Sequence, residues 1–358
     1  MKRLIVCILA VACLQCTASA AEFGMKQGTP DLKSVGPLAF GKSGVLFVGD
    51  TKAATVFAID TQDRNGDPGD VKLQMEEVDR QAAAILGTEK VTINDFAVNP
   101  ESGVGYISVS SEDGKTMGIC KLLPNGEVEK MSLENVDFSK VELPNPPADK
   151  EVGRRKRNYR NDSITDLAFM EGKVLVSGAA AEGESNVREL VFPFFESDKG
   201  VNVEIFHGAH GRYENNSTVR TFVPFKIDGE PYLLAGFVCT PLVKFPLEGL
   251  KGKEKLRGTT LAELGNRNRP LDMFVYKKDG KDYLLMSNTA RGVMKINTND
   301  VEREEGITER IKGTAGQTYE TIESLKGVEQ MDKLNDHHAV VLARGENGAL
   351  NMSTIELP

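Results

Sequence analysis

Two histidines three residues apart, His207-x-x-His210, stand in a glycine-flanked run that continues Arg212-Tyr213-Glu214. Imidazoles at that spacing can reach one divalent metal from a tight loop, with Glu214 available to complete the shell. Three aspartates, Asp95, Asp166 and Asp272, occur at matching places in separate segments of the chain. They offer further carboxylate ligands to such a metal, or a general base. Arg212, Arg220 and Arg291 are candidate clamps for a carboxylate, phosphate or sulfate, with Tyr213 and Asn288 as further polar contacts. Three readings of the histidine pair stay open: a metal site, a metal-free polar ligand site, or hydrogen-bonded loop histidines. The aspartates also have a plain structural reading, in which each carboxylate accepts backbone N–H groups and anchors a junction. Their repetition in register favours the anchor, because structural residues repeat and catalytic ones seldom do. No residue is marked as catalytic, and Cys239 is either a reactive thiol or a small buried apolar residue.

The elements that must position these groups are legible from internal repetition. Val219–Leu247 aligns without a gap over Pro270–Thr298, sharing Lys226/Lys277, Asp228-Gly229/Asp279-Gly280, Tyr232-Leu233-Leu234/Tyr283-Leu284-Leu285 and Lys244/Lys295. Fainter copies run over Gly36–Asp60, Ile93–Leu122, Ile164–Phe192 and Gly327–Leu357. Each has a short apolar strand, a Gly/Asp/Asn turn, a second strand ending in small residues, a loop and a third strand. Six such units predict an all-β fold, a β-propeller of six blades. A seventh would need a degenerate copy in Gln62–Lys90 or Thr308–Leu325. The final copy stops at its third strand, so the N-terminal segment Phe23–Leu32 is expected to close the ring by pairing with it. Glu77–Leu86 reads as a short helix. The stretch 137–161, with Pro144, Pro146, Pro147 and the basic run Arg154-Arg155-Lys156-Arg157, reads as an irregular insertion.

These repeats resemble those of bacterial secreted β-propellers of the broad YVTN/NHL-like kind, a likeness that implies architecture and no particular activity. In such a ring the inner strand of every blade starts on one face, where the loops joining second to third strands also open. On that basis Asp95, Asp166, Asp272, the 207–216 segment and the loops at Cys239 and Asn288–Arg291 are all expected around the channel mouth. His337-His338 falls in a first-to-second-strand turn and is expected on the opposite face.

Residues 1–20 read as a signal peptide: Lys2 and Arg3, an apolar run Leu4–Leu14, then Ala18-Ser19-Ala20 as a cleavage site. Cys13 and Cys16 stand in poor contexts for lipidation, so cleavage to a secreted or periplasmic protein is the expectation, with no integral membrane segment thereafter. The formal charge of −8 becomes more negative once Lys2 and Arg3 are removed, which argues against nucleic-acid partners. Gly-x-Ser-x-Gly, phosphate-loop, Gly-x-Gly-x-x-Gly and Cys-x-x-Cys-His motifs are absent, and there is no tryptophan for a sugar platform. The leading functional expectation is a propeller that binds a small polar or anionic ligand, or a partner protein's loop, at the channel mouth. The alternatives are a lactonase-like hydrolase or lyase using a divalent metal on the same face, and a scaffold for protein assembly.

Overall fold

Asp228-Gly229 and Asp279-Gly280 form two-residue hairpin turns, with both members of each pair at positive φ. That conformation is the one whose twist suits adjoining antiparallel strands, and it explains why Asp-Gly recurs there. The other shared residues of the repeat are structural as well. Lys244 Nζ lies 5.5 Å from the Tyr232 ring and Lys295 Nζ 4.3 Å from the Tyr283 ring. Lys244 also donates to the carbonyls of Val301, Glu302 and Arg303 at 2.7–2.9 Å, tying down the loop that follows the strand Gly292–Asn297.

In the computed structural model the described residues are 23–250 and 252–358, so the proposed signal peptide lies outside them. Six sheets, antiparallel except where Lys255–Arg257 pairs in parallel with Val201–His207, form a six-bladed β-propeller. In order of their inner strands along the chain, blade 1 starts at Leu38–Phe40, blade 2 at Val91–Val98 and blade 3 at Asp166–Met170. Blade 4 starts at Thr221–Ile227, blade 5 at Pro270–Lys278 and blade 6 at Val328–Lys333. Apolar side chains pack between neighbouring sheets, as where Met273, Leu284 and Met286 of blade 5 join the core of blade 4.

Around the ring the blades do not follow chain order. The inner strand of blade 2 packs against blades 1 and 6, while blade 1 packs against blades 2 and 3, giving the circular order 2-1-3-4-5-6. After its third strand the chain leaves blade 1, adds Gln74–Met75 to the outer edge of blade 6, and forms a helix, α1 (Val78–Leu86). It then builds blade 2 and returns with Val136–Glu142 as the fourth strand of blade 1.

Ring closure therefore differs from the expectation. The strand that pairs with Leu350–Glu356 is Gln74–Met75, whereas Lys26–Gly28 lies outermost in blade 1 against Val136–Glu142. The physical reason is the chain crossing, which carries residues 74–75 to the open edge of blade 6, while the N-terminal strand is taken up by the returning strand at the outer edge of blade 1. The segments considered for a seventh blade supply outer strands and α1 instead, and the first part of 137–161 is regular strand. Val136 and Phe138 pack there toward blade 2 and Val141 toward blade 3, so the apolar residues fall on both faces of the strand and show no simple alternation.

Polar latches join the blades at the channel. Asp95 Oδ2 accepts from the backbone N–H of Leu38 (2.6 Å), Asp166 from Phe222 (2.7 Å), Asp272 from Met331 (2.8 Å) and Asp332 from Val98 (2.7 Å). Each donor belongs to the next blade's inner strand. Burial pushes all four carboxyls upward, Asp166 to about 7 and Asp332 to about 6. Asp95 and Asp272 lie well above the ordinary range, raised by burial and by neighbouring ring carboxylates.

Because these values exceed the unfolded-chain value of about 4, the folded state binds protons the unfolded state releases. The resulting stabilisation is fully present below about pH 4 and is lost as pH rises through 6 to 7. Melting temperature should accordingly be higher at pH 5 than at pH 8, and Asp166→Asn should flatten the slope. Calorimetry that found a midpoint constant or rising over that window would contradict the assignment.

Candidate functional site

Of the sequence-derived residues, some come together and others do not. The inner-strand aspartates Asp95, Asp166 and Asp272 sit inside the channel, away from the histidines. Asp166 and Asp272 take their own strands' next N–H groups on the second oxygen, so both oxygens are committed to backbone. Gln330 lies between Asp95 and Asp272, its amide nitrogen 3.1 and 3.2 Å from their oxygens when oriented to donate. The fourth member, Asp332, escaped the sequence reading because Gln330 holds the register position of Asp95 and Asp272 in its strand, and Asp332 stands two residues beyond it.

His207 and His210 lie on the expected face but at its outer rim. His207 ends the fourth strand of blade 3 (Val201–His207), and the loop returns through Arg212–Glu214. Chain order reveals the face a residue occupies, but distance from the axis depends on which strand of the blade carries it. Glu214 accepts from both rings, at 2.9 Å from His207 Nδ1 and 2.8 Å from His210 Nδ1. Arg212 Nε adds a third bond at 2.9 Å. Burial alone would raise the Glu214 carboxyl, but these three hydrogen bonds outweigh it and hold it below the usual value. Burial lowers His207, against the pull of Glu214. Tyr213 stacks edge-on against Phe206 and carries the Arg257 guanidinium 4.0 Å from its ring centre, a packing role.

From blade 4 the loop Phe237–Thr240 brings Cys239 to the histidines. One nitrogen of each imidazole and Cys239 Sγ lie within 4.8 Å of one another. Glu263, at the end of the fourth strand of blade 4, accepts from Gly208 N at 2.5 Å. Burial pushes its carboxyl up to about 7. A side chain at Gly208 would stand 2.9 Å from Glu263 Cγ, so the glycine permits this approach.

Asn288 and Arg291 join neither group. Asn288 is buried and locks its own hairpin, donating to Met286 O and Gly292 O while accepting from Asn268. The Arg291 guanidinium lies over Gly265, where a Cβ would come within 2.6 Å, and donates to Asn266 O.

Arg220 does reach the channel mouth. A cavity of about 620 Å³ opens there, bordered by the inner-strand starts of blades 1 to 3 and by Arg220 and Arg269. Arg220 Nη1 pairs with Asp162 Oδ1 at 2.8 Å, while its Nε is buried without a partner. Arg157 binds the other Asp162 oxygen at 2.9 Å, so part of the basic insertion packs beside the mouth. Burial raises Asp162, yet these guanidiniums outweigh it and keep the carboxyl below its usual value. Arg269 is pulled down by burial and then by the charge of Arg220. Sequence reasoning missed Arg269, which sits immediately before the inner strand of blade 5; in the gapless repeat it stands opposite Thr218, so repetition did not point to it.

A larger cavity of about 920 Å³ lies on the opposite face, lined by Lys277, Lys278, Lys333, His337 and His338. Its cations are already engaged: Lys277 with Asp282 (3.0 Å), Lys278 with Leu357 O (2.8 Å) and Lys333 with Asp336 (2.6 Å). At the mouth Arg157 and Arg220 share Asp162, and Arg269 has no hydrogen-bonded carboxylate among the described residues, which leaves the greater unmet demand for an anion.

No family model and no curated protein matches this chain. Among solved structures it is similar to Raptor from Chaetomium thermophilum, at 12% identity and a TM-score of 0.34, covering 93% of this chain and 25% of that one. It is also similar to the Bacillus subtilis arabinanase Arb43A, at 14% identity and a TM-score of 0.37, covering 72% and 91% of the two chains. The PQQ-bound aldose sugar dehydrogenase of Streptomyces coelicolor gives 10% identity and a TM-score of 0.33, covering 92% and 96%. At these scores the similarities carry no argument about activity.

Thiol chemistry separates the two cysteines of the described residues. Cys120 is fully buried and burial pushes its thiol up to about 11, while Cys239 is partly exposed. Alkylation of the native protein, read by peptide mass spectrometry, should label Cys239 and spare Cys120 until the fold is melted. Prompt native labelling of Cys120 would contradict the packing of blade 2.

Proposed function

We propose that this protein is a secreted or periplasmic β-propeller that captures a small, hydroxylated anion, of the sugar-acid kind, at the mouth of its channel. Its repeats belong in this reading with the YVTN/NHL-like propellers. The observation that carries the proposal is the cavity of about 620 Å³ lined both by Arg220, which pairs with Asp162, and by Arg269, which lies close enough to feel the charge of Arg220. Two guanidiniums held near each other without equal counter-charge favour an anion between them, and a carboxylate can accept from both. Arg269 makes no side-chain hydrogen bond among the described residues, so its donors are free for a ligand. Thr92, Asn94, Ser110 and Asn161 on the same walls offer neutral partners for hydroxyl groups. Binding is favoured over hydrolysis at the axis because Asp166 and Asp272 have both oxygens on backbone N–H groups, leaving neither free as a base.

A thermal-shift panel of gluconate, glucuronate, inorganic phosphate and sulfate tests the reading. At least one of these should raise the melting temperature in a concentration-dependent way. Arg269→Ala should weaken that response by roughly 10-fold or more, the worth of a charge-assisted hydrogen bond. A response to none of the four, or one unchanged in Arg269→Ala, would overturn the proposal.

A further inference from the structure

The histidines of blade 3 and the cysteine of blade 4 meet at a place the anion-binding reading does not use. Glu214 takes the Nδ1 hydrogen of both His207 and His210, which fixes both rings in the tautomer whose Nε2 carries the lone pair. His207 is 2% exposed, and its Nε2 is buried without any hydrogen-bond partner. A buried imidazole nitrogen with its lone pair unengaged costs stability unless something binds it. Cys239 Sγ completes a triangle of donor atoms no more than 4.8 Å apart.

We infer that His207, His210 and Cys239 form a mononuclear metal site at the rim between blades 3 and 4, suited to zinc(II), with a fourth position open to solvent. Zinc–nitrogen bonds of about 2.0–2.1 Å and a zinc–sulfur bond of about 2.3 Å around a tetrahedral ion put donor atoms somewhat closer than that 4.8 Å limit, so small side-chain movements close the site. One thiolate with two imidazoles selects a borderline-soft ion over magnesium or calcium, which take oxygen donors.

Glu214 has the role of the carboxylate that orients metal-binding histidines from behind, and Arg212 steadies it in turn. This differs from the sequence expectation, in which Glu214 and the ring aspartates were ligands. The carboxylates of Asp95, Asp166 and Asp272 are in the channel, and Cys239 supplies the third donor. Cys239 and Thr240 both adopt positive φ, 67° and 57°. Thr240 holds that turn by donating from Oγ1 to Gly265 O, and Cys239 N donates to Asn268 O. His210 is exposed and Cys239 partly so, which leaves the outward side of the triangle for water or a ligand.

Cobalt(II) titration of the metal-stripped protein gives a readout independent of any activity. One equivalent should bind with a thiolate-to-cobalt charge-transfer absorption, and zinc should displace it. Cys239→Ser should abolish that absorption, and Glu214→Gln should weaken binding by about 10- to 100-fold while retaining it. Should a variant fail to fold, the unmutated protein still decides the matter, because stoichiometric zinc should protect Cys239 from alkylation. No charge-transfer band, or a band unchanged in Cys239→Ser, would overturn the assignment, as would alkylation at an undiminished rate with zinc present.

Discussion

A carboxylate on one inner strand accepting the backbone N–H of the next is the contact on which this ring depends. Inner strands of a propeller splay around the axis and cannot pair in a ladder, so their channel-facing N–H groups need another acceptor. Asp95, Asp166, Asp272 and Asp332 supply it at four of the six junctions, each reaching from its own blade to the next. Where blade 4 meets blade 5, apolar contact serves instead: Gly236 leaves room for Pro270, which a Cβ would approach to 3.1 Å. Four buried carboxyls crowded about one axis are costly as charges, and their upward shifts record that cost. The same commitment that holds the blades occupies both oxygens of Asp166, Asp272 and Asp332 with backbone N–H groups.

The crossing between blades 1 and 2 ties the ring twice. Residues 74–75 stitch the early chain to blade 6, and Val136–Glu142 returns to blade 1 after blade 2 is complete. Neither blade 1 nor blade 6 has its full set of strands until distant segments arrive. Such long-range pairing closes the ring without a terminal strand, and it sets Asp162 and Arg157, which follow the return, beside the mouth.

How far the sequence carries can be judged residue by residue. Asp-Gly turns, strand order within blades and the face of each loop follow from local chemistry and repetition, so blade number and the side of His207 were legible. Radius was not: His207 and Arg220 share a face, yet one ends an outer strand and the other precedes an inner one. Nor did spacing reveal that Cys239, in the next blade, stands by His207 and His210, because that proximity depends on how neighbouring blades pack. Circular order was hidden for a similar reason, since Gln74–Met75 is too short to read as a strand. The shared Lys244/Lys295 and Tyr232/Tyr283 pairs signalled fold, and their place over one another inside the blades accounts for their repetition.

What unites these features is a division of labour between buried latches along the axis and free donors on one face. A crystal structure grown with gluconate tests that division most directly. The account predicts density for the carboxylate between Arg220 and Arg269, with hydroxyl groups toward Thr92 and Asn161. Gluconate seated instead among Lys277, Lys278 and Lys333 on the opposite face, with the mouth unchanged, would contradict it.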